Sequence, residues 1–501
     1  MAVQSRLAAA FAALVLLAGC GGGGGATPPA GSSAGGASLG GRTPTKISFV
    51  IPSASHTSSR RRNTLPSSTQ SVVLTFTGPY GSALTSAVAP VVINTSSCTT
   101  VSTGLQCTTT ADLPLGAVVG SVAAYAGASG AGALLALGTL TLNVAAGTTA
   151  AVTLTTASNY QLLAGNSLSA TLSIDHVANT FTVNTTTGTG AAEIFSGTIA
   201  PLPNGDIEAT VTNNGGSSAE PVGDIILVRE LPDGAIMLED SQTVSPPSPW
   251  DGSTTTGGAG FGVANAACAS TAGTFPIDLV SISGQSFTPA GTNASQALIV
   301  GSAQLTSTTL VGGGTAYDIN GNSLGSTTSG TVTCSGNVYA PPGGSQNQPT
   351  LAFNNLGVIV GANGNSGGGS SSDVIGVVGF ANPASVSLAT LASLSYDGFL
   401  VTGNGSGTNA EPLNATPAGG GLQLCPYTDI LNNVVATGST CVTLTLTSQP
   451  YPGVVYGTVS SGDVVVLTVA QVNGKYALLG IADVGSSTSA GTAGNFILFQ
   501  H

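Results

Sequence analysis

The sequence carries very little charge, and positive charge is almost missing from most of its length. Eight Lys and Arg residues stand against 20 Asp and Glu residues, and six of the eight bases come before residue 63. From residue 159 onward, 19 acids face only Arg229 and Lys475. A phosphate backbone requires a basic protein face. We therefore expect no nucleic-acid partner.

Histidine is also scarce, and the cysteine spacing typical of a zinc site is missing. The chain has three His, and its seven Cys include no CxxC pair. Structural zinc sites use Cys and His ligands at such short spacings. We therefore expect no metal ion and no cofactor.

Two stretches match the GxSxG pattern of serine hydrolases, "GNSLG" around Ser323 and "GNSGG" around Ser366. In a chain with 72 Gly such matches arise by chance. A nucleophile elbow also needs a strand, a sharp turn and a helix, whereas Ser323 falls in a predicted hairpin. His176 and His501 are the histidines left for a triad in this part of the chain. We expect no catalytic residue.

The first 20 residues have the layout of an export signal. Arg6 precedes an apolar run, residues 7–17, that is shorter than the about 20 residues of a spanning helix. The run ends in "LAGC", which closes on Cys20. This ending resembles the lipobox of bacterial lipoproteins, which implies cleavage before Cys20, acylation of its thiol and a lipid anchor in the membrane. Gly21 stands where that family's inner-membrane retention signal is Asp, so the resemblance implies the outer membrane or cell surface.

The stretch after Cys20 is rich in Gly, Ser and Ala up to residue 41. About 25 such residues form a flexible tether that spans roughly 25–30 Å. The segment "SSRRRN" then places Arg60, Arg61 and Arg62 near the expected anchor. These arginines could contact anionic lipid or lipopolysaccharide phosphates, or form a solvated basic loop.

Six cysteines remain if Cys20 is acylated, and an even number in an exported chain predicts disulfides. They are Cys98, Cys107, Cys268, Cys334, Cys425 and Cys441. Six cysteines allow 15 pairings, and the sequence does not choose among them. We expect neighbours to pair, as 98–107, 268–334 and 425–441.

The composition and its periodicity predict an all-β protein. Residues that favour helices are scarce, and β-branched residues and Gly are frequent. In "SVVLTFTG", Val72, Leu74 and Phe76 alternate with the residues between them, which is the period of a half-buried strand. Residues 115–138 are uncharged and could be read as a membrane helix. We prefer strands there, because Gly and Ser interrupt the run and alternating strands follow it.

Residues 46–157 combine "TLPSSTQSVVLTF", the pair Cys98 and Cys107, "LPLG" and a closing "GTTAAVTLTT". As a whole this stretch resembles the immunoglobulin-like module at the start of many uncharacterised bacterial surface lipoproteins. The resemblance implies a β-sandwich and brings no functional residues with it. The Ala-rich stretch between Val118 and Ala136 departs from the pattern.

The rest of the chain reads as short strands joined by Asn-Gly and Asp-Gly turns, the strongest short-range hairpin signal. The cues are "LPNGD" (202–206), "LPDGA" (231–235), "DINGN" (318–322), "YDGF" (396–399) and "VNGK" (472–475). We expect a large antiparallel meander that closes as a barrel or barrel-like sandwich, with a β-propeller as the alternative. The predicted organisation is a signal peptide (1–19), the lipidated Cys with its tether (20–45), the immunoglobulin-like sandwich (46–157) and an antiparallel β domain (158–501).

Two features could carry a ligand or a reaction. The first is a cluster of carboxylates: Asp206, Glu208, Glu220, Asp224, Glu230, Asp233, Glu239 and Asp240. Two of them could serve a glycosidase, or several could hold calcium, but a solvated strand-and-turn face with Arg229 paired to one neighbour is the expected arrangement. The second is Trp250, the single Trp, which could stack on a sugar ring or fill a gap beside the core.

These observations predict a lipid-anchored protein of the bacterial cell envelope with a binding, adhesion or structural role and no catalysis. An extracytoplasmic carbohydrate-active hydrolase that uses carboxylates is the alternative. A periplasmic envelope component on the inner leaflet is a third possibility.

Overall fold

The computed structural model describes most of the chain from residue 41 onward. The described ranges are 41–52, 69–102, 104–131, 134–145, 149–151, 157–164, 167–176, 178–186, 192–202, 206–215, 221–231, 234–240, 259–264, 266–269, 272–283, 296–328, 331–335, 337–340, 349–363, 375–404, 407–430, 432–460, 462–472, 475–484 and 492–500. The all-β class predicted from the sequence is confirmed. Within these ranges, no helix has both the length and the apolar character needed to cross a bilayer.

The N-terminal part is a sandwich of two four-stranded sheets. Its strands are β1 (Arg42–Pro52), β2 (Ser71–Thr77), β3 (Val91–Asn94), β4 (Thr99–Val101), β5 (Gly104–Pro114), β6 (Gly116–Tyr125), β7 (Leu134–Val144) and β8 (Thr149–Ala151). One sheet has the order β4-β5-β1-β8 and the other β3-β2-β6-β7. Ile47 and Leu113 of the first sheet and Val72 of the second share one core. The stretch 115–138 contributes strands β6 and β7, as expected.

The next eight strands close into an antiparallel barrel, which we call barrel 1. They are β9 (Ala157–Ala164), β10 (Ser167–Asp175), β11 (Thr180–Thr186), β12 (Ala192–Pro201), β13 (Ile207–Asn213), β14 (Ile225–Glu230), β15 (Ala235–Asp240) and β16 (Ala259–Ala264). Each strand pairs with the next, and β16 pairs with β9 to close the ring. Closure leaves no exposed sheet edge.

Two further barrels follow, with the same up-and-down order. Barrel 2 contains β17 (Gly273–Ser283), β18 (Gln296–Leu305), β19 (Thr309–Asp318), β20 (Ser323–Thr328), β21 (Val332–Ser335), β22 (Val338–Ala340), β23 (Pro349–Phe353), β24 (Val358–Asn363) and β25 (Ile375–Ala381). Barrel 3 contains β26 (Tyr396–Asn404), β27 (Gly407–Ala418), β28 (Gly421–Asp429), β29 (Val434–Val435), β30 (Val442–Tyr451), β31 (Val454–Val459), β32 (Val464–Val472), β33 (Lys475–Val484) and β34 (Thr492–Gln500). In each barrel eight strands form the ring, and one extra strand, β20 or β29, pairs only with the third strand.

The barrel interiors are packed with apolar side chains. Phe181 and Phe195 meet edge to face inside barrel 1, with ring centroids 6.3 Å apart. Tyr339 and Phe353 do the same inside barrel 2 at 5.8 Å, and Leu467 lies in the interior of barrel 3. Each barrel is therefore a filled core and not an open container, as expected for eight strands.

A second layer of packing joins the three barrels, and we call it the shared core. Strand β14 shows how it arises, because all six of its residues are buried. Ile226 points into barrel 1, while Leu227 on the opposite face joins a cluster with Phe380 of barrel 2 and Phe399 of barrel 3. Alternate residues of one strand thus serve two different cores.

Two segments from outside the rings pack into the interiors of barrels 2 and 3. Tyr80, in a turn of the sandwich, stacks on Phe275 of barrel 2 with ring centroids 4.9 Å apart. The Nδ2 of Asn382 donates a hydrogen bond of 2.8 Å to the carbonyl of Tyr80 and holds this turn. A short helix, α1 (Leu388–Ala392), places Leu391 in the core of barrel 3.

The region 158–501, for which the sequence predicted one large antiparallel meander, is divided among three barrels. The strands on either side of four of the five turn cues are consecutive and pair with each other, as in a hairpin. The fifth, Asp397-Gly398, was a wrong prediction, because both residues lie within β26. A Cβ on Gly398 would lie only 1.8 Å from the carbonyl oxygen of Ile497, so this glycine permits close strand approach instead of a turn.

Candidate functional site

Three members of the carboxylate cluster, Asp206, Asp224 and Glu230, are not on the solvated face that the sequence predicted, whereas Glu208 is half-buried. Asp206 and Asp224 are completely buried, and Arg229 and Glu230 are nearly so. The expectation was wrong because both faces of β14 are covered, one by barrel 1 and the other by the shared core. Glu220, Asp233 and the side chains of Glu239 and Asp240 lie outside the described residues.

Arg229 pairs with Asp206, as expected, and its side chain also contacts barrel 3. Its Nε donates to Oδ1 of Asp206, and its guanidinium lies 5.5 Å from the ring centroid of Phe399 in barrel 3. Burial opposes the charge on Arg229, but attraction by Asp206 and by Asp397 outweighs it and raises the pKa. The hydroxyl of Tyr427 donates to Oδ1 of Asp397 at 2.7 Å. Arg229 therefore ties barrel 1 to barrel 3 through its charge attraction to Asp397 and its contact with Phe399, while the hydrogen bonds of the group lie within each barrel.

Glu230, the next residue along β14, points the other way and accepts from two partners. His176 Nε2 lies 2.7 Å from its Oε2, and the hydroxyl of Tyr160 donates to its Oε1. Burial works to raise the pKa of Glu230, but the charge and hydrogen bond of His176 outweigh it and lower the pKa. Burial works to lower the pKa of His176, but the charge of Glu230 and its hydrogen bond outweigh burial and raise the pKa. Both side chains are more than nine-tenths buried, so the pair is placed to stabilise barrel 1 and not to meet a substrate.

Within the described part of the chain, the serine motifs do not lie beside a histidine that could act as a general base. Ser323 begins β20 in barrel 2, in the predicted hairpin, whereas His176 is engaged with Glu230 in barrel 1. Ser366 and His501 lie outside the described residues. Over the same ranges, no group of three or more His, Cys, Asp or Glu side chains has the arrangement of a metal site.

The cysteines pair as neighbours, as the sequence analysis expected. Cys98 is bonded to Cys107, Cys268 to Cys334 and Cys425 to Cys441. The first bond lies in the sandwich, and the other two lie in barrels 2 and 3. Cys20, Arg60, Arg61, Arg62 and Trp250, the other residues singled out in the sequence, lie outside the described residues.

Among the described residues, one feature with the shape of a ligand site lies between barrels 2 and 3, and the sequence analysis missed it. A cavity of about 430 Å³ opens there, within the range of about 300–1,000 Å³ usual for small-molecule sites. Asn320 and Gly321 of the β19–β20 turn line one side of it. Tyr451 and Tyr456, which flank the β30–β31 turn, line the other.

One of the two tyrosines that line this cavity is held by a hydrogen bond, and the other has a buried hydroxyl. Tyr451 donates its hydroxyl proton to the hydroxyl of Tyr317 at 2.6 Å, and the two rings lie 5.2 Å apart. Burial, followed by the charge of nearby Asp318, raises the pKa of Tyr456 to about 12, so that this hydroxyl stays protonated at physiological pH. A sequence signal existed in "YPGVVY", where Tyr451 and Tyr456 bracket a Pro-Gly turn.

A buried carboxylate lies at the same junction of barrels 2 and 3. Asp278 of β17 is 1% exposed, and its Oδ2 has no hydrogen-bond partner among the described residues. It faces the β30–β31 turn, where a Cβ on Gly453 would lie 2.9 Å from Oδ2. Burial raises the pKa of Asp278 to about 7. Glycine is required at 453 by the backbone conformation, with φ of +77°, and by the close approach of Pro383, whose Cβ would lie 2.2 Å from a Cβ there.

Comparison with known proteins gives no relative from which a role could be transferred. No protein-family model, no curated protein and no solved structure matches the chain.

Proposed function

We propose that the chain is a lipid-anchored protein of the bacterial cell envelope, at the outer membrane or cell surface, with a binding, adhesion or structural role. The lipidated Cys20 is its membrane partner, and the Gly-rich tether holds the folded part away from the headgroups. Arg60, Arg61 and Arg62 add contacts to anionic lipid or lipopolysaccharide phosphates.

A binding role is favoured over catalysis because two buried carboxylates of the cluster are already paired with neighbouring side chains. Asp206 is bound to Arg229, and Glu230 to His176 and Tyr160. A glycosidase needs two carboxylates that face each other across a substrate, with one of them able to donate a proton. The rival hydrolase therefore has less support from Asp206 and Glu230, whereas Asp224 is buried with neither of its carboxylate oxygens hydrogen-bonded among the described residues.

The anchor is tested by labelling bacteria that express the chain with an alkynyl fatty acid. We expect the wild type to be labelled and membrane-bound, and Cys20→Ser to be unlabelled and either unprocessed or soluble, because its thiol accepts the acyl chains. Gly21→Asp is the matched control. It should keep the label but move to the inner-membrane fraction, since Asp at this place is the retention signal of the lipoproteins that the segment resembles.

Equal labelling of the wild type and Cys20→Ser would contradict the anchor. Unchanged fractionation of Gly21→Asp would contradict the assignment to the outer membrane while leaving the anchor intact.

A further inference from the structure

We infer that the cavity between barrels 2 and 3 is a binding site for neutral carbohydrate. The inference deepens the proposed function, on whose binding role it rests, by naming the site and the class of ligand. Three properties carry it: the uncharged lining, an unsatisfied hydroxyl, and aromatic rings set beside hydroxyl and amide groups.

The lining is polar and aromatic but without charge. Among its described residues are Asn320, Ser448, Tyr451, Tyr456 and Thr458, and none of the described lining residues is ionised at neutral pH. The chain as a whole carries a formal charge of −12. An anionic ligand would find no cation in this cavity and would be repelled by the surrounding field. The lining therefore selects an uncharged ligand.

The hydroxyl of Tyr456 is buried and has no hydrogen-bond partner among the described residues. Tyr456 is 9% exposed, and a Cβ on Gly321 would lie 3.4 Å from the hydroxyl oxygen, so this group lies under the turn that forms the opposite wall. Leaving a hydroxyl unpaired in a buried place is costly, and a ligand hydroxyl that displaces the turn at Gly321 and pairs with it removes this cost.

Aromatic rings beside hydroxyl and amide groups match the surface of a sugar, which has an apolar ring face and a rim of hydroxyls. Tyrosine presents an apolar body with a polar tip, as it does at many binding surfaces. Tyr451 is partly exposed and has its own hydroxyl fixed by Tyr317 at 2.6 Å, so its ring is held ready for stacking. Asn320, Ser448 and Thr458 supply donors and acceptors around it.

The site is built to bind sugar and not to cleave it. Asp318, two residues before Asn320 of the lining, accepts from the backbone N–H groups of Asn320 and Asn322 and from Nδ2 of Asn322. Its oxygens are used to shape the β19–β20 turn. Hydrolysis would require a pair of free carboxylates on either side of the bond.

The test uses the full-length chain in detergent, first on an array of neutral and anionic glycans and then by calorimetric titration with the best neutral oligosaccharide. Tyr456→Phe removes only the unpartnered hydroxyl and should weaken binding about threefold to tenfold, the usual range for one hydrogen bond. Tyr451→Ala removes the stacking face and should weaken it about tenfold. Tyr476→Phe, which loses one tyrosine hydroxyl of barrel 3 away from the described lining, should bind as the wild type does.

Tyr456→Phe also separates binding from folding. A purely structural role predicts unchanged affinity and equal or higher thermal stability, since a buried unpaired hydroxyl is lost. Absence of binding to every neutral glycan, stronger binding to anionic glycans, or unchanged affinity in Tyr456→Phe would each overturn the inference. These results leave the lipid anchor untouched, because labelling at Cys20 is measured separately.

Discussion

Arg229 illustrates how much depends on single residues in a chain with so few bases. Its guanidinium is the cation that neutralises the buried Asp206 and lies against Phe399 of barrel 3. The sequence predicted a pair between Arg229 and a neighbour, but not its burial. Pattern alone shows which residues alternate along β14, and it does not show that a second barrel covers the outer face.

Replacing Arg229 by Met should cost about 3–5 kcal/mol of unfolding free energy, because it leaves the carboxylate of Asp206 buried without the cation that neutralises it. Urea denaturation followed by near-UV circular dichroism measures this loss. The double variant Arg229→Met with Asp206→Leu should recover most of it, since two apolar side chains replace the pair.

Lys475→Met is the control for loss of charge alone. Lys475 is the other base of this region and is exposed, so its removal should change stability by less than about 0.5 kcal/mol. A loss for Arg229→Met no larger than that for Lys475→Met would show that the buried pair is not needed.

The pair of His176 and Glu230 gives the stability of barrel 1 a defined pH dependence. The raised pKa of His176 means that its stabilisation is complete below pH 6.5, its ordinary value, and is lost as pH rises through the folded value. The lowered pKa of Glu230 means that its stabilisation is complete above pH 4.5 and is lost as pH falls through the folded value. Both contributions are therefore complete between pH 4.5 and 6.5.

The difference in Tm between the wild type and Glu230→Gln should accordingly be largest in that window and smaller toward about pH 3 and about pH 9. Thermal scans across this range measure it. A difference in Tm that does not vary with pH would contradict the assignment of charge to this pair.

Among the structural elements, the disulfides should differ in how much they stabilise the fold, because they close loops of different length. Cys268 and Cys334 are 66 residues apart and join the approach to β17 with β21, whereas Cys98 and Cys107 are 9 residues apart in the sandwich. The chain-entropy treatment of loop closure gives the longer loop about 2 kcal/mol more stabilisation.

We therefore expect the double variant Cys268→Ala with Cys334→Ala to lower the stability of its barrel more than Cys98→Ala with Cys107→Ala lowers that of the sandwich. Hydrogen exchange resolved by peptide measures the two regions in the same sample. The opposite order would show that packing around each bond, and not loop length, sets its contribution.

The sequence predicted individual strands and turns more successfully than it predicted the tertiary contacts that they make. The alternation of Val72, Leu74 and Phe76 places all three in the sandwich core, as expected. The Asp397-Gly398 cue failed because the same dipeptide meets a different need: Asp397 accepts from Tyr427 and Asn414, and Gly398 makes room for the β34 backbone. Local turn preference is overridden when a tertiary contact requires the same residues.

At the scale of the whole molecule, the division of 158–501 into three barrels could not be predicted from local pattern. Closure depends on pairs that are far apart in the sequence, such as β9 with β16 and β26 with β34. Alternation along each strand is the same whether the ring closes after eight strands or continues. The cavity was missed for the same reason, since Asn320 and Tyr456 meet only when barrels 2 and 3 pack together.

The central structural claim is that the shared core makes one body of the three barrels and so holds the cavity between barrels 2 and 3. Phe380 of barrel 2 is 2% exposed in the shared core, and Phe353 of the same barrel is 2% exposed in the barrel interior. The two residues therefore form a matched pair for substitution by Ala, each removing about 3–5 kcal/mol of packing.

Hydrogen exchange of the full-length chain, followed in peptides from β14, β25 and β33, tests this claim most directly. We expect Phe380→Ala to speed exchange in all three barrels, because it weakens the packing they have in common, whereas Phe353→Ala should act mainly on barrel 2. Acceleration by Phe380→Ala that stays confined to barrel 2 would contradict the claim, and would show that the barrels are independent units.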